Sequence, residues 1–322
     1  MLNNIVFFIL FIFSFLISSE TSFCYHCNKT MYGVVNIFSG KKYHPKCYKN
    51  YVQARCEICS ELINGLHNII EDKRFHQNCY INNILEKCKI CNKPIKDQYY
   101  EDYWGNRYHK SHDINFSKCD NCNRIISENI TGGGYSINKE RFICNICKPD
   151  VVNSKSQVNK SVKNVVKLLE NIGIYVNSNL MPITLVKTRK QLTKISNNNY
   201  NNIQGYTHYK EKTSLNKVIS QTSHIYILSD LNLEIFESVL AHEICHVFIF
   251  MNRYKLSSAI TEGFCNLASE LVYENYNTEI AKYALESMYL DTHPDYGLGF
   301  KKMRKLLNNK GWHYLLDTLP DL

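Results

Sequence analysis

Apolar residues are dense and helix-spaced in the second half of this chain and sparse through most of the first. From Val162 a helical spacing runs through Val165, Val166, Leu168 and Leu169 and stops at Gly173. Ile183–Val186 reads as a short strand, and residues 224–228 as a second, edge-like one. Asp230 or Asn232 can cap the next helix, whose apolar positions are Phe236, Val239, Leu240, Ile244, Val247 and Phe248 and which ends near Met251. Another helix starts after Ser257 or Ser258 and carries Ile260, Phe264, Leu267, Ala268 and Leu271; two or three more are expected up to about Leu319. Residues 197–202, almost all asparagine, read as a solvated loop. Residues 162–322 are thus expected to form an α+β, mostly helical domain, preceded by a polar linker over 149–161.

The N-terminus departs from this pattern. Residues 5–17 are apolar except for Ser14, and Ser18, Ser19 and Ser22 follow before Cys24. That length suits a signal-peptide core better than a membrane span of ~20 residues, while the lack of a positive leading segment leaves an uncleaved anchor open. Residues 1–22 are therefore expected to be a signal peptide or membrane anchor. The protein is expected to be secreted or extracytoplasmic, or alternatively membrane-anchored.

The cysteines organise what lies between. Of fourteen, twelve fall between residues 24 and 147, all in Cys-x-x-Cys or His-x-x-Cys pairs; Cys245 and Cys265 stand alone. The pairs assemble into four units: Cys24, Cys27, His44 and Cys47; Cys56, Cys59, His76 and Cys79; Cys88, Cys91, His109 and His112; Cys119, Cys122, Cys144 and Cys147. They begin at 24, 56, 88 and 119, a repeat of 32, 32 and 31 residues. Four soft or borderline ligands per unit is the complement of one closed tetrahedral zinc site. The stretches between pairs suit small hairpins, as in Gly33-Val-Val-Asn-Ile-Phe38 before Gly40. Segments of ~30 residues cannot build a sufficient core, so metal binding must supply much of their folding free energy. Residues 23–148 are expected to be a β-hairpin-rich array of zinc-ribbon or LIM-like modules over 24–47, 56–79, 88–112 and 119–147. The ligand order resembles LIM domains, with a longer gap between units and His112 where a cysteine is usual.

Charge changes the picture less than it first suggests. The formal value of +9 falls to +5 once twelve thiolates remove twelve charges and four dications return eight; a fifth dication gives +7. The excess is modest and spread out, and the fingers lack a helix-borne Arg/Lys reading set, so no nucleic-acid partner is expected.

Within the predicted helix, His242 and His246 lie four apart and can grip one metal, with Glu243 placed to act on water without being a ligand. A catalytic zinc needs a third protein ligand and an open position. Glu262, followed by Gly263 at the start of the next helix, is the candidate, and Asn266 one turn on is a candidate partner for a ligating histidine. His224, Tyr296 and His293 are candidates for stabilising a transition state.

Two segments, Ala241-His-Glu-Ile-Cys-His246 and Ile260-Thr-Glu-Gly-Phe-Cys265, resemble the peptidase domain of the plant growth-restricting, ubiquitin-activated LIM-domain peptidases. So do Asp295-Tyr-Gly-Leu-Gly-Phe300 in the tail and Arg141-Phe-Ile-Cys144-Asn-Ile-Cys147 in the last finger. The resemblance covers about residues 24–319 and implies a zincin-like, gluzincin-type metallopeptidase. It makes His242, His246 and Glu262 the zinc ligands and Glu243 the base, with the fingers organising the peptidase and helping to select substrate. The plant members are intracellular and carry ubiquitin-interacting motifs ahead of the LIM region. Here the apolar segment precedes Cys24, so ubiquitin activation is not carried over. The expectation is a zinc endopeptidase with one catalytic and about four structural zincs, acting on a protein or peptide. A protein partner is expected to bind the fingers, and a membrane only the N-terminal segment. The alternative is a non-catalytic zinc-finger adaptor with an inactive peptidase-like domain.

Overall fold

The computed structural model describes residues 22–197, 202–214 and 217–322. The apolar segment 5–17 and four of the six residues of the asparagine-rich loop lie outside these. The chain divides into two compact units, one ending at Glu86 and the other spanning Lys87–Leu322.

The first unit holds two small zinc-finger-like modules. Their hairpins are Asn36–Phe38 with Lys41–Tyr43, and His67–Ile70 with Lys73–His76. In each of the four modules the residue after the second cysteine of the first pair adopts positive φ: Asn28 (58°), Ser60 (61°), Asn92 (58°) and Asn123 (58°). Its N–H returns to the carbonyl of the first cysteine, as from Asn28 to Cys24 (2.9 Å) and from Asn123 to Cys119 (2.9 Å). Asparagine tolerates this left-handed conformation better than most residues, so one local turn makes four ligand knuckles.

The second unit begins with the other two modules, whose hairpins are Tyr99–Glu101 with Arg107–His109, and Gly134–Ser136 with Phe142–Cys144. Beyond them come strand β1 (Val151–Val152), helix α1 (Lys155–Glu170), β2 (Ile183–Val186), α2 (Arg189–Ser196), β3 (Gly205–Ser214), β4 (Lys217–Leu228) and β5 (Leu231–Asn232). Helices α3 (Leu233–Met251), α4 (Ser258–Tyr276), α5 (Glu279–Leu290) and α6 (Gly299–Thr318) complete the helical C-terminal half; α6 is broken at Gly311. The sheet order is β2-β4-β3, with β2 parallel and β3 antiparallel to β4.

Two expectations are corrected. Residues 149–161 are not a linker: β1 pairs with β5, Leu231 opposite Val152, and α1 starts at Lys155 behind a Ser154/Gln157 capping box. The first turns of α1 look structureless in sequence because a surface helix buries one stripe only, here Val158, Ser161, Val165 and Leu169. The strand ahead of the metal-motif helix, β4, is central rather than an edge; the edge is β3. The unit boundary falls between the second and third fingers.

The fourth finger is joined to the sheet region by buried charge. Arg141, 1% exposed, pairs through Nε with Asp120 (2.7 Å) and donates to the backbone carbonyls of Ser229 (2.9 Å) and Lys187 (3.2 Å). Asp120 also accepts from Arg189 at 2.6 Å. Asn121 adds a two-way clasp, donating to the Asp230 carbonyl (3.1 Å) and accepting from the Asn232 N–H (3.0 Å). Val151 packs with the finger cysteines and Val152 with the main core, so the two cores meet at adjacent residues.

Removing one partner of a buried ion pair strands the other charge. Arg141→Ala is expected to lower the unfolding free energy by about 3–5 kcal/mol, read by urea denaturation of the metal-loaded chain. Lys139→Ala, at an exposed position in the same finger, is expected to leave it within about 0.5 kcal/mol.

Candidate functional site

Each finger brings its four predicted ligands together, with donor atoms within 4.8 Å of one another. In the first three, a histidine turns Nδ1 toward a cysteine: His44 to Cys27 (3.3 Å), His76 to Cys59 (3.3 Å) and His109 to Cys91 (3.5 Å). Their Nε2 atoms lie 3.1, 3.2 and 3.2 Å from the carbonyls of Thr30, Leu62 and Pro94. A proton on Nε2 satisfies that contact and leaves the Nδ1 lone pair for a cation. His112 differs, its buried Nε2 having no hydrogen-bond partner. A cation in the third cluster would satisfy it.

The thiols carry the same message. Burial opposes ionisation of Cys24, but backbone N–H groups of Cys27, His44 and His26 outweigh it and bring its pKa to about 6. Burial and the thiols of Cys27 and Cys24 push Cys47 up to about 11. Cys56, at about 6, and Cys79, at about 11, repeat the pattern. One thiolate forms readily and its neighbours resist a second negative charge, so full deprotonation requires a cation among them. These clusters could hold metal ions, and they offer no open position for chemistry.

A fifth donor group lies between α3 and α4. Asn232 caps α3 by accepting from the Glu234 N–H, and Ser257 caps α4 by accepting from the Ile260 N–H. His242 Nε2 and His246 Nε2 stand 3.2 Å apart, and Glu262 Oε2 lies 3.2 Å from the first and 3.6 Å from the second. Ligand atoms at ~2.1 Å from a tetrahedral ion are ~3.4 Å apart, so this triangle has the size of three metal ligands. Glu262 Oε2 is buried and His246 Nδ1 is too, neither with a hydrogen-bond partner. Burial would raise the Glu262 pKa, but the two imidazoles hold it well below the carboxylate range. Burial likewise opposes charge on His242, and Glu262, Glu243 and Asn266 together raise its pKa.

Cys265 Sγ also lies within 4.8 Å of the histidine donors. It is fully buried in the core and its thiol is pushed well above normal, first by burial. Glu262 lines the cleft, whereas Cys265 does not, so the carboxylate is the better third ligand. Asn266 Oδ1 sits 2.9 Å from His242 Nδ1 and its Nδ2 donates to the Tyr296 carbonyl (2.9 Å), which orients the imidazole.

Glu243 is 5% exposed and held by β3. The Thr207 hydroxyl lies 2.7 Å from Glu243 Oε2 and 3.1 Å from its backbone carbonyl. A side chain at Gly205 would place Cβ 2.5 Å from Glu243 Oε1, so only glycine fits. Sequence reasoning missed both residues because β3 itself was missed. The alternation in Gly205-Tyr-Thr-His-Tyr was the available signal.

The donor triangle and Glu243 line a cleft of about 720 Å³, together with Gly205, Thr207, Phe250, His293 and Tyr296. The Tyr296 ring stacks on His242, centroids 6.3 Å apart. His293 Nδ1 receives the N–H groups of Asp295 and Tyr296, capping the turn that carries Tyr296. His224, expected near the reaction centre, is corrected. Its Nε2 contacts the Thr184 hydroxyl (2.8 Å), its ring stacks on Tyr226, and it does not line the cleft. Its neighbour Ile225 takes the core-facing side of β4, and alternation turns His224 the other way.

No protein-family model matches the chain, and no curated protein matches it either.

Elemental analysis of the purified chain is expected to return about five divalent-metal equivalents. His242→Ala/His246→Ala is expected to lose about one of them and keep the other four. Loss of none would mean that the α3–α4 triangle holds no metal.

Proposed function

We propose that this protein is a zinc-dependent endopeptidase, as its resemblance to the LIM-domain peptidases implies. The observation that carries this reading is the triangle of two imidazole nitrogens and a carboxylate oxygen beside Glu243, in a cleft bounded by a strand edge. His242, His246 and Glu262 would hold the metal, and a zincin-like arrangement accounts for their order along α3 and α4. Zinc in such a site supplies Lewis acidity, enough to bring the ionisation of water toward pH ~7.

The other steps belong to the chain's own residues. Thr207 donates to Glu243 Oε2 and leaves Oε1 toward the cleft, where it accepts a proton from the attacking water. The same oxygen then returns the proton to the leaving amine. Asn266 keeps the His242 ring from turning, so the donor triangle is formed before substrate arrives. Tyr296, stacked on His242 at the cleft wall, is the candidate to stabilise the developing oxyanion.

A peptide fits this cleft better than a small molecule does. Among the described residues β3 pairs with β4 on one side only, and its first residues form the cleft wall. An extended backbone can align along the free edge and present a carbonyl at the donor triangle. Zinc in the four finger clusters is structural in this reading.

Glu243→Gln is expected to lower the cleavage rate of a denatured protein pool by about 10²–10⁴-fold, with metal content unchanged. Equal cleavage by both forms would refute the mechanism and favour a finger adaptor. Thr207→Val is expected to lower kcat about tenfold with KM nearly constant, because a hydrogen bond to an ionised group is lost.

A further inference from the structure

The first two fingers share one architecture and differ sharply in surface. Residues 22–53 contain five lysines and no carboxylate, whereas residues 54–86 contain five carboxylates against three cations. The hairpin tips show it directly. The first turns at Ser39-Gly40 and continues into Lys41-Lys42; the second turns at Glu71-Asp72. One scaffold carries both surfaces, so the basic charge of the first finger is not a requirement of its fold.

Both fingers expose apolar side chains, the second Leu66 (94%), Ile69 (58%) and Ile70 (37%), so what sets the first apart is that no carboxylate lies among them. Tyr32 is 84% exposed, Val34 78%, Ile37 67% and Phe38 45%, all within one seven-residue run leading into the hairpin. The register sets Ile37 opposite Lys42 and Phe38 opposite Lys41. Each apolar residue at the tip therefore has a lysine across the ladder, and the Lys41 ammonium rests over the exposed Tyr25 ring, 3.7 Å from its centroid, where it stays at the surface. Exposed apolar side chains beside cations, with no carboxylate in residues 22–53, match the boundary between acyl chains and anionic headgroups.

The neighbouring sequence is consistent with this partner. Four residues, 18–21, separate the apolar segment 5–17 from Ser22, and fully extended they span only about 13 Å. A retained segment would hold the first finger at a bilayer; a removed one would leave the finger to find it alone.

We propose that the first finger is a membrane-docking module: residues 32–38 enter the interface of an anionic bilayer and Lys41 and Lys42 bind its headgroups. The proposal is independent of peptidase activity. It is tested with the full, metal-loaded chain and vesicles of phosphatidylcholine with phosphatidylserine. Tryptophan at Ile37→Trp is expected to add a blue-shifted emission that brominated lipids quench, and Ile69→Trp, in the second finger, is not. Lys41→Gln/Lys42→Gln is expected to weaken vesicle partition about thirtyfold, whereas Lys73→Gln/Arg74→Gln changes it less than about twofold. Metal content confirms that each variant is folded. Unquenched emission at position 37, equal quenching at 69, or equal binding to neutral phosphatidylcholine vesicles would overturn the proposal. So would binding to acidic protein segments without vesicle partition.

Discussion

The cleft depends on one packing contact, the close antiparallel approach of α3 and α4. α3 is apolar around most of its circumference because the sheet covers one side and α4 another, so its polar residues must be satisfied where it meets the cleft. His242, Glu243 and His246 are at that place, and α4 answers them with Glu262 and Asn266. The approach continues outward through glycine. A side chain at Gly263 would clash with the Gly299 carbonyl, and one at Gly299 with the Ala259 carbonyl. Removing either glycine would push α6 off α4 and carry the Tyr296 turn away from His242.

The second constraint is that buried charged side chains are paired or hydrogen-bonded. Arg141 and Asp120 are fully engaged between the fourth finger and the sheet region, and Glu237 is similarly held by Asn164 (3.1 Å) and Tyr276 (2.7 Å). Glu270 is met by Arg304 and Tyr289. Such pairs add less net stability than apolar packing of equal volume, but they tolerate few alternative arrangements. They tie the fourth finger to the body that carries the cleft, and the fourth cluster is also the most buried of the four.

Glu262 and the finger ligands illustrate two uses of one donor chemistry. In the fingers all four donors converge and the surrounding hydrogen bonds serve the thiolates and imidazoles. Between α3 and α4 His242, His246 and Glu262 face the cleft, with Cys265 Sγ buried behind them, and the remaining side opens on a cleft wall of Gly205, Thr207 and Tyr296. The finger clusters are thus closed by their own donors, whereas the α3–α4 group has one side facing the cleft.

Much of this was legible in sequence because it is local. A Cys-x-x-Cys pair makes its knuckle from a few consecutive residues, and the His242/His246 spacing puts both rings on one helix face whatever surrounds the helix. Caps such as Asn232 and Ser257 are local for the same reason. What sequence could not yield was long-range. Thr207 and Gly205 reach Glu243 from a strand thirty-six and thirty-eight residues away along the chain, and nothing in their neighbourhood announces the partner. The Arg141 clasp, the central position of β4 and the outward turn of His224 were likewise decided by pairing between distant segments. Spacing along the chain determines which residues share a face; only tertiary packing determines what that face meets.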